Sequence, residues 1–303
     1  MKKLDGGLKT LLILILFFFI LTKNTFGNQI LDYETENFIN QLLQSIQKAN
    51  NISKKIKFKI INDDEINAFV SEQNIIHINS GLIHYCKDYV ALLSVLAHEV
   101  GHIDLNHIYL RKKIIGNSKK YNNLVLLSVL AGSAIGQNQN ILQSSVMSSA
   151  IVSSNYIEFS KEQEIEADLY ALKTLDLLNT YSDSVIELLK SIEDKLSEKG
   201  FSKDKQRIST HPYFNERVLL INNYKNNKKN IFDPYYNQRF NFIKSKFIGY
   251  SNNSLLIKDL KEPYKNYAES IKMARNGNLK MSLENLNEII KKNNNNFLLE
   301  TKA

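Results

Sequence analysis

Cysteine is nearly absent from this chain: Cys86 is the only one in 303 residues. A lone cysteine excludes an intrachain disulfide. It lies far from the end of the N-terminal apolar run, where a lipoprotein would carry its cysteine, so a lipoprotein is excluded too. Past that run there is no apolar stretch near the roughly 20 residues that a spanning helix needs. The two closest, Leu124 to Ile135 and Ile141 to Val152, are short and parted by Gln137-Asn138-Gln139-Asn140. They read as a helical hairpin packed over the core, or as a flap or membrane-surface element beside a site. Also missing is any basic block interleaved with aromatics. A net charge of +8 suits nucleic acid or an anionic membrane in principle. The lysines are scattered among asparagines, however, and no nucleic-acid partner is expected. Histidine is scarce, six in all, which makes its placement informative.

With 43% hydrophobic and 23% charged residues the composition is that of a globular protein, long enough for one sizeable core and an appendage. Met1-Lys2-Lys3 and Lys9 precede the run from Leu11 to Leu21, and Thr25-Phe26-Gly27 follows it. A positive start, an apolar stretch and small residues at the outer positions of a cleavage site make a signal peptide over 1–27. An uncleaved anchor is the alternative. Either way the bulk of the chain leaves the cytoplasm.

The informative histidines lie in Ala97-His98-Glu99-Val100-Gly101-His102. His98 and His102 are four apart, so on a helix they project from one face, one turn apart. Two imidazoles with an open position suit zinc, and Glu99 beside them can take a proton from water held there. This is the HExxH pattern of a metallohydrolase. Asp88 is a candidate N-cap, and Tyr89 to Leu96 is apolar enough to bury the helix. Ahead of it, a helical pattern runs from Gln29 to about Asn50. Ile56, Phe58 and Ile60 alternate with lysines as a half-buried strand, and Asn67–Val70 and Asn74–Asn79 read as two more. The last of these, just before the motif, is a candidate sheet edge to which an extended substrate adds, or an ordinary structural strand. His77 and His84 stand outside any ligand spacing. Leu105 and His107 miss the glycine and third histidine that a metzincin would have three and six residues past His102, so the third ligand comes from elsewhere. The best candidate is Glu164, in Ser160-Lys161-Glu162-Gln163-Glu164-Ile165-Glu166-Ala167-Asp168, which opens a helix expected to run through Leu178. Asp168, one turn later, is placed to orient a histidine ligand.

HEVGH followed some 60 residues later by Glu-x-Glu-Ala-Asp resembles the gluzincin group of CAAX prenyl proteases, HtpX heat-shock proteases and BepA-type proteases. Asn67-Ala68-Phe69, Ser80-Gly81-Leu82, His107, Arg111 and Thr210-His211-Pro212 with Arg217 also match that pattern, over roughly residues 30 to 222. The resemblance implies zinc held by His98, His102 and Glu164, with Asp168 as companion. It brings His211 in from a later loop, either to stabilise the oxyanion of the tetrahedral intermediate or to close the fourth zinc position. Lacking further spans, the chain is most similar to the exported BepA-type branch, which carries tetratricopeptide repeats. Tyr267, Ala268, Ile271, Ala274, Gly277, Leu279, Leu283, Leu286 and Ile290 read as the two helices of one repeat, with a further helix begun at Phe297, as in a truncated array.

The expectation is an α+β, mainly helical zincin-like core with a small sheet, followed by an all-α segment. Residues 28–222 make the protease domain, 223–262 a linker with some helix, and 263–303 a partial tetratricopeptide-like segment. The expected function is that of a periplasmic zinc endopeptidase using Glu99 as general base. Its substrates would be unfolded or misassembled proteins, with envelope partners at the C-terminal helices and peripheral membrane contact open. The alternatives are a chaperone or binding scaffold with a silent or latent site, and a membrane-anchored protease.

Overall fold

A computed structural model describes residues 29–113, 161–180, 183–198, 214–224, 231–251, 253, 255–293 and 296–302. The expected signal peptide, the apolar pair at 123–153 and Thr210-His211-Pro212 lie outside the described residues. In chain order the strands are β1 (Gln29–Ile30), β2 (Lys57–Ile61), β3 (Ala68–Val70) and β4 (Ile75–Asn79). The helices are α1 (Tyr33–Ala49), α2 (Ser80–Tyr85), α3 (Tyr89–Asp104), α4 (107–113), α5 (161–177), α6 (Ser184–Glu198), α7 (Phe214–Asn223), α8 (Pro234–Tyr250), α9 (Leu255–Lys258), α10 (Tyr264–Arg275), α11 (Leu279–Lys292) and α12 (Asn296–Lys302). This is the mainly helical α+β arrangement expected, with one small sheet. None of the described helices is long and apolar enough to cross a membrane.

The sheet runs β1-β2-β4-β3. β2 and β4 are parallel, with Ile60 beside Ile78 and Phe58 beside Ile76, while β3 lies antiparallel on the far side of β4. Period-two alternation sends Ile60, Ile76, Ile78, Ala68 and Val70 into the core. Two expectations are corrected. β4, read as a sheet edge or an ordinary structural strand, is interior, and among the described residues the edge beside it is β3, because Asn74 adopts a positive φ of 56° that reverses the chain and lays Ala68–Val70 along β4. The helix expected from Gln29 starts instead at Tyr33. Asp32 is extended and its carboxylate accepts the Thr35 amide at 2.9 Å, leaving Gln29 and Ile30 to pair with β2.

α3 is the central helix. The Asp88 carboxylate caps it by accepting the Ala91 amide at 2.9 Å, and nearly every residue from Tyr89 to His102 is buried. A helix apolar all round belongs in the interior. It packs against β3, α1 and α6, and its last turn faces α5. A Cβ on Gly101 would come within 3.1 Å of the Tyr170 Cβ, so glycine there sets how near α3 and α5 run. Ala167 and Ala171 are likewise buried on α5. The helix ends at 177 rather than Leu178, and Leu169 is exposed, since leucines three apart drift off one face.

The stretch 223–262, expected as a linker, holds the seventeen-residue α8. Asp233 caps it, Pro234 occupies its first turn, and Phe240, Phe242, Ile243, Phe247 and Ile248 are buried. Its aromatics sit in the same apolar cluster as the sheet and α3. That cluster continues into Tyr267, Ile271, Leu286, Phe297 and Leu298 of α10, α11 and α12. Gly249 lets α8 and α10 touch, since a Cβ there would meet the Ala268 carbonyl at 2.8 Å. Asn and Lys between these apolar residues mask the pattern in the sequence.

Candidate metal centre

His98 and His102 reach the site from the last turns of α3, and Glu164 comes to meet them from α5. The two imidazole Nε2 atoms are 3.1 Å apart. Glu164 Oε2 lies 3.3 Å from His98 Nε2, and Glu164 Oε1 lies 3.5 Å from His102 Nε2. All three residues are at least nine-tenths buried. Among the described residues they form the one group able to hold a metal ion. The donor set fits zinc: a tetrahedral ion bonded at ~2.0–2.1 Å has ligand-to-ligand edges of ~3.3–3.4 Å.

Charge fits as well. Glu99, Glu164 and Asp168 are buried and face the guanidiniums of Arg217 and Arg111. Arg111 Nη2 donates to Glu164 Oε1 at 2.9 Å, and its Nε donates to Gln163. Glu99 lies close enough to Arg217 to interact with it electrostatically. Three acids against two fixed cations leave one negative charge, which a dication overcompensates only slightly.

Asp168, one turn beyond Glu164, accepts from His98 Nδ1 at 2.8 Å. Arg217, from α7, grips the same carboxylate in a fork, Nε to Oδ2 at 2.7 Å and Nη2 to Oδ1 at 2.8 Å. Burial pushes the Asp168 pKa up, but Arg217 and His98 more than offset it and bring it down to about 2. An ionised carboxylate only accepts, so His98 carries its proton on Nδ1 and keeps Nε2 bare towards the cluster. Burial and Arg217 push the His98 pKa down, yet Asp168 and Glu164 prevail and the net shift is upward. A proton therefore competes with a metal for this ring.

The remaining sequence candidates separate cleanly. Glu99 is buried on α3 between the two histidines. His211 lies outside the described residues. His77 stacks on Phe69 across the sheet, ring centres 4.9 Å apart, and His84 is buried on α2. Burial pushes the Cys86 thiol up to about 12, which removes it as a nucleophile. Sequence reasoning gave no role to Arg217 or Glu166. Arg217 stands 49 residues from Asp168, and Glu166 reads as one more acid on a helix start. His107 Nδ1 lies 2.9 Å from His102 Nδ1, and its Nε2 lies 3.0 Å from Glu166 Oε2.

Two buried histidines one turn apart, a carboxylate closing the triangle and a second acid behind one histidine are the parts of a metallopeptidase centre. The chain is similar to the beta-barrel assembly-enhancing protease of Yersinia pestis, 23% identical over 186 residues, 61% of this chain and 37% of the relative. The Escherichia coli K12 protein of that name is 22% identical over 192 residues, 62% and 38% of the two chains. A putative beta-barrel assembly-enhancing protease of Vibrio cholerae is 24% identical over 176 residues, 57% and 35%. The match thus spans little more than a third of the length of these relatives. The model of peptidase family M48 matches residues 33–225, which take in α1, β2 to β4, α3, α5 and Arg217. With the match covering well over half its length, the chain belongs to peptidase family M48, a family of metallopeptidases.

Proposed function

We propose that this chain is an exported zinc endopeptidase that hydrolyses peptide bonds of unfolded or misassembled envelope proteins. The observation that carries the reading is the buried triangle of His98 Nε2, His102 Nε2 and Glu164, with Glu99 on the same helix turn. Zinc, when held by those three residues, supplies Lewis-acid chemistry, polarising a carbonyl oxygen and making water a stronger acid. Glu99 takes the proton of the attacking water and passes it to the leaving amine nitrogen. Asp168, fixed by Arg217, holds the His98 ring in place. An extended peptide adds to β3, the sheet edge that packs against α3. His211 serves the same centre, either stabilising the oxyanion or closing the metal site to water.

The relatives' name, beta-barrel assembly-enhancing protease, supports a role in envelope quality control. The leader-like segment at 1–27 supports export to the periplasm. Residues 28–222 form the catalytic unit, and α10 to α12 form a partial tetratricopeptide-like surface for envelope partners.

The test is degradation of an unfolded protein by the chain without its leader, beside Glu99→Gln and His211→Ala, each with and without chelator. The expected result is activity that chelator abolishes and that Glu99→Gln lowers about 10²–10⁴-fold. Activity confined to His211→Ala would make this a latent protease held shut by that histidine. If all three are inert with zinc bound, proteolysis is overturned in favour of a zinc-stabilised binding scaffold.

A further inference from the structure

Resting on the zinc reading above, we infer that His107 and Glu166 are positioning residues. They form a two-step hydrogen-bond relay that holds His102 in the single tautomer able to bind the metal. A histidine ligand must present a bare nitrogen. For His98 that is arranged by Asp168 and Arg217, but His102 meets a different partner at its inner nitrogen: Nδ1 of His107, 2.9 Å away. Two ring nitrogens at that distance share one proton, since two bare nitrogens repel and two N–H groups collide.

The far side of His107 decides which ring owns it. His107 Nε2 lies 3.0 Å from Glu166 Oε2, and a carboxylate only accepts, so this nitrogen carries hydrogen. A neutral imidazole has one such hydrogen. His107 Nδ1 is therefore bare and accepts from His102 Nδ1–H. That uses the one proton of His102 and leaves its Nε2 bare, at the corner that lies 3.1 Å from His98 Nε2 and 3.5 Å from Glu164 Oε1.

The backbone is shaped to deliver this contact. α3 stops at Asp104, and Asn106 takes a positive φ of 59°. His107 thereby returns over the end of α3, its ring edge-on to His102 with centres 5.0 Å apart. His107 is 1% exposed, and Gln163 Nε2 donates to its carbonyl at 3.3 Å. Alternate residues of α5 thus serve three ends: Glu164 in the triangle, Asp168 behind His98, and Glu166 behind His107 and so behind His102.

The test is the zinc dissociation constant, by competition with a chromophoric chelator, for wild type, His107→Gln and His107→Phe. A glutamine amide offers an acceptor oxygen and a donor NH2, as the neutral imidazole offers an acceptor and a donor nitrogen, whereas phenylalanine fills the space with neither. Phenylalanine is expected to weaken zinc binding about 10–100-fold, with glutamine recovering most of the loss. In the zinc-loaded wild type, nitrogen NMR should show His107 protonated on Nε2 and bare on Nδ1. That measurement stands even if the phenylalanine variant does not fold. Equal zinc affinity in all three proteins, equal losses in both variants, or a proton on His107 Nδ1 would overturn the relay while leaving the metal site intact. Wild type that binds no zinc would overturn the zinc reading itself.

Discussion

Asp168 shows how much a single buried carboxylate depends on what faces it. Its fold-imposed pKa of about 2, against an ordinary 3.8, comes from the Arg217 fork and the His98 proton working against burial. A carboxylate depressed in the folded state stabilises fully above its unfolded pKa, and the contribution disappears as pH falls towards the folded value. In chelator-treated protein, urea unfolding should therefore lose on the order of 2 kcal/mol between pH 4 and pH 2 from this group. Arg217→Met strands the acid in the interior. It should cost about 3–5 kcal/mol at neutral pH and shift the acid limb upward. An acid limb that does not move in that variant would show that Arg217 does not set the charge of Asp168. At this scale the meeting of His98, His102 and Glu164, with Asp168 behind His98, was legible, because helix spacing puts each pair on one face and the HExxH pattern called for a carboxylate from elsewhere. Arg217 matched the family pattern, but its role was not legible, because its contact joins residues 49 apart through a packing that no local pattern encodes.

At the scale of elements, glycine positions set the distances on which the centre depends. Gly81 is the second residue of α2, just after β4, and a Cβ there would sit 2.4 Å from the carbonyl oxygens of Asp64 and Glu65. Those atoms are backbone, so nothing flexible can give way. Ser80 ties the same turn down: its hydroxyl donates to the Asp63 carbonyl at 2.8 Å and accepts the Asp63 amide at 3.0 Å. Gly81→Ala should destabilise by about 1–3 kcal/mol through overpacking, seen as a lower thermal midpoint. An unchanged midpoint would mean that the 63–65 loop moves freely. Alternation and apolar runs foretold β2, β3, β4 and α3. They could not say that β4 lies inside the sheet, since strand order follows from which edges pair and not from which residues alternate.

For the whole molecule, the question is whether the C-terminal helices are an appendage. Tyr267 of α10 is fully buried, edge-on to Phe242 of α8 and Phe297 of α12, with its hydroxyl 2.6 Å from Thr301 Oγ1. Through α8 these rings join the apolar cluster that holds α3 and the sheet. Tyr267→Ala should cost about 3–5 kcal/mol, and unfolding should remain one transition whether followed by helix content or by zinc release. Two separated transitions would show that the C-terminal helices unfold apart from the metal-bearing core.

The sequence by itself determined which side chains are available to the centre: two imidazoles one helical turn apart with Glu99 beside them, a later pair of acids also one turn apart, and apolar periods that make helices and a small sheet. These are local matters, settled by the 3.6-residue turn and the two-residue pleat. Only the tertiary structure decided how the pieces serve one another. It made β3 rather than β4 the edge, drew α8 into the core, and turned the chain at Asn106 so that His107 meets His102. It also brought Arg217 to Asp168. Those outcomes depend on close packing between segments distant in the chain, where an interaction exists only once both surfaces have been built.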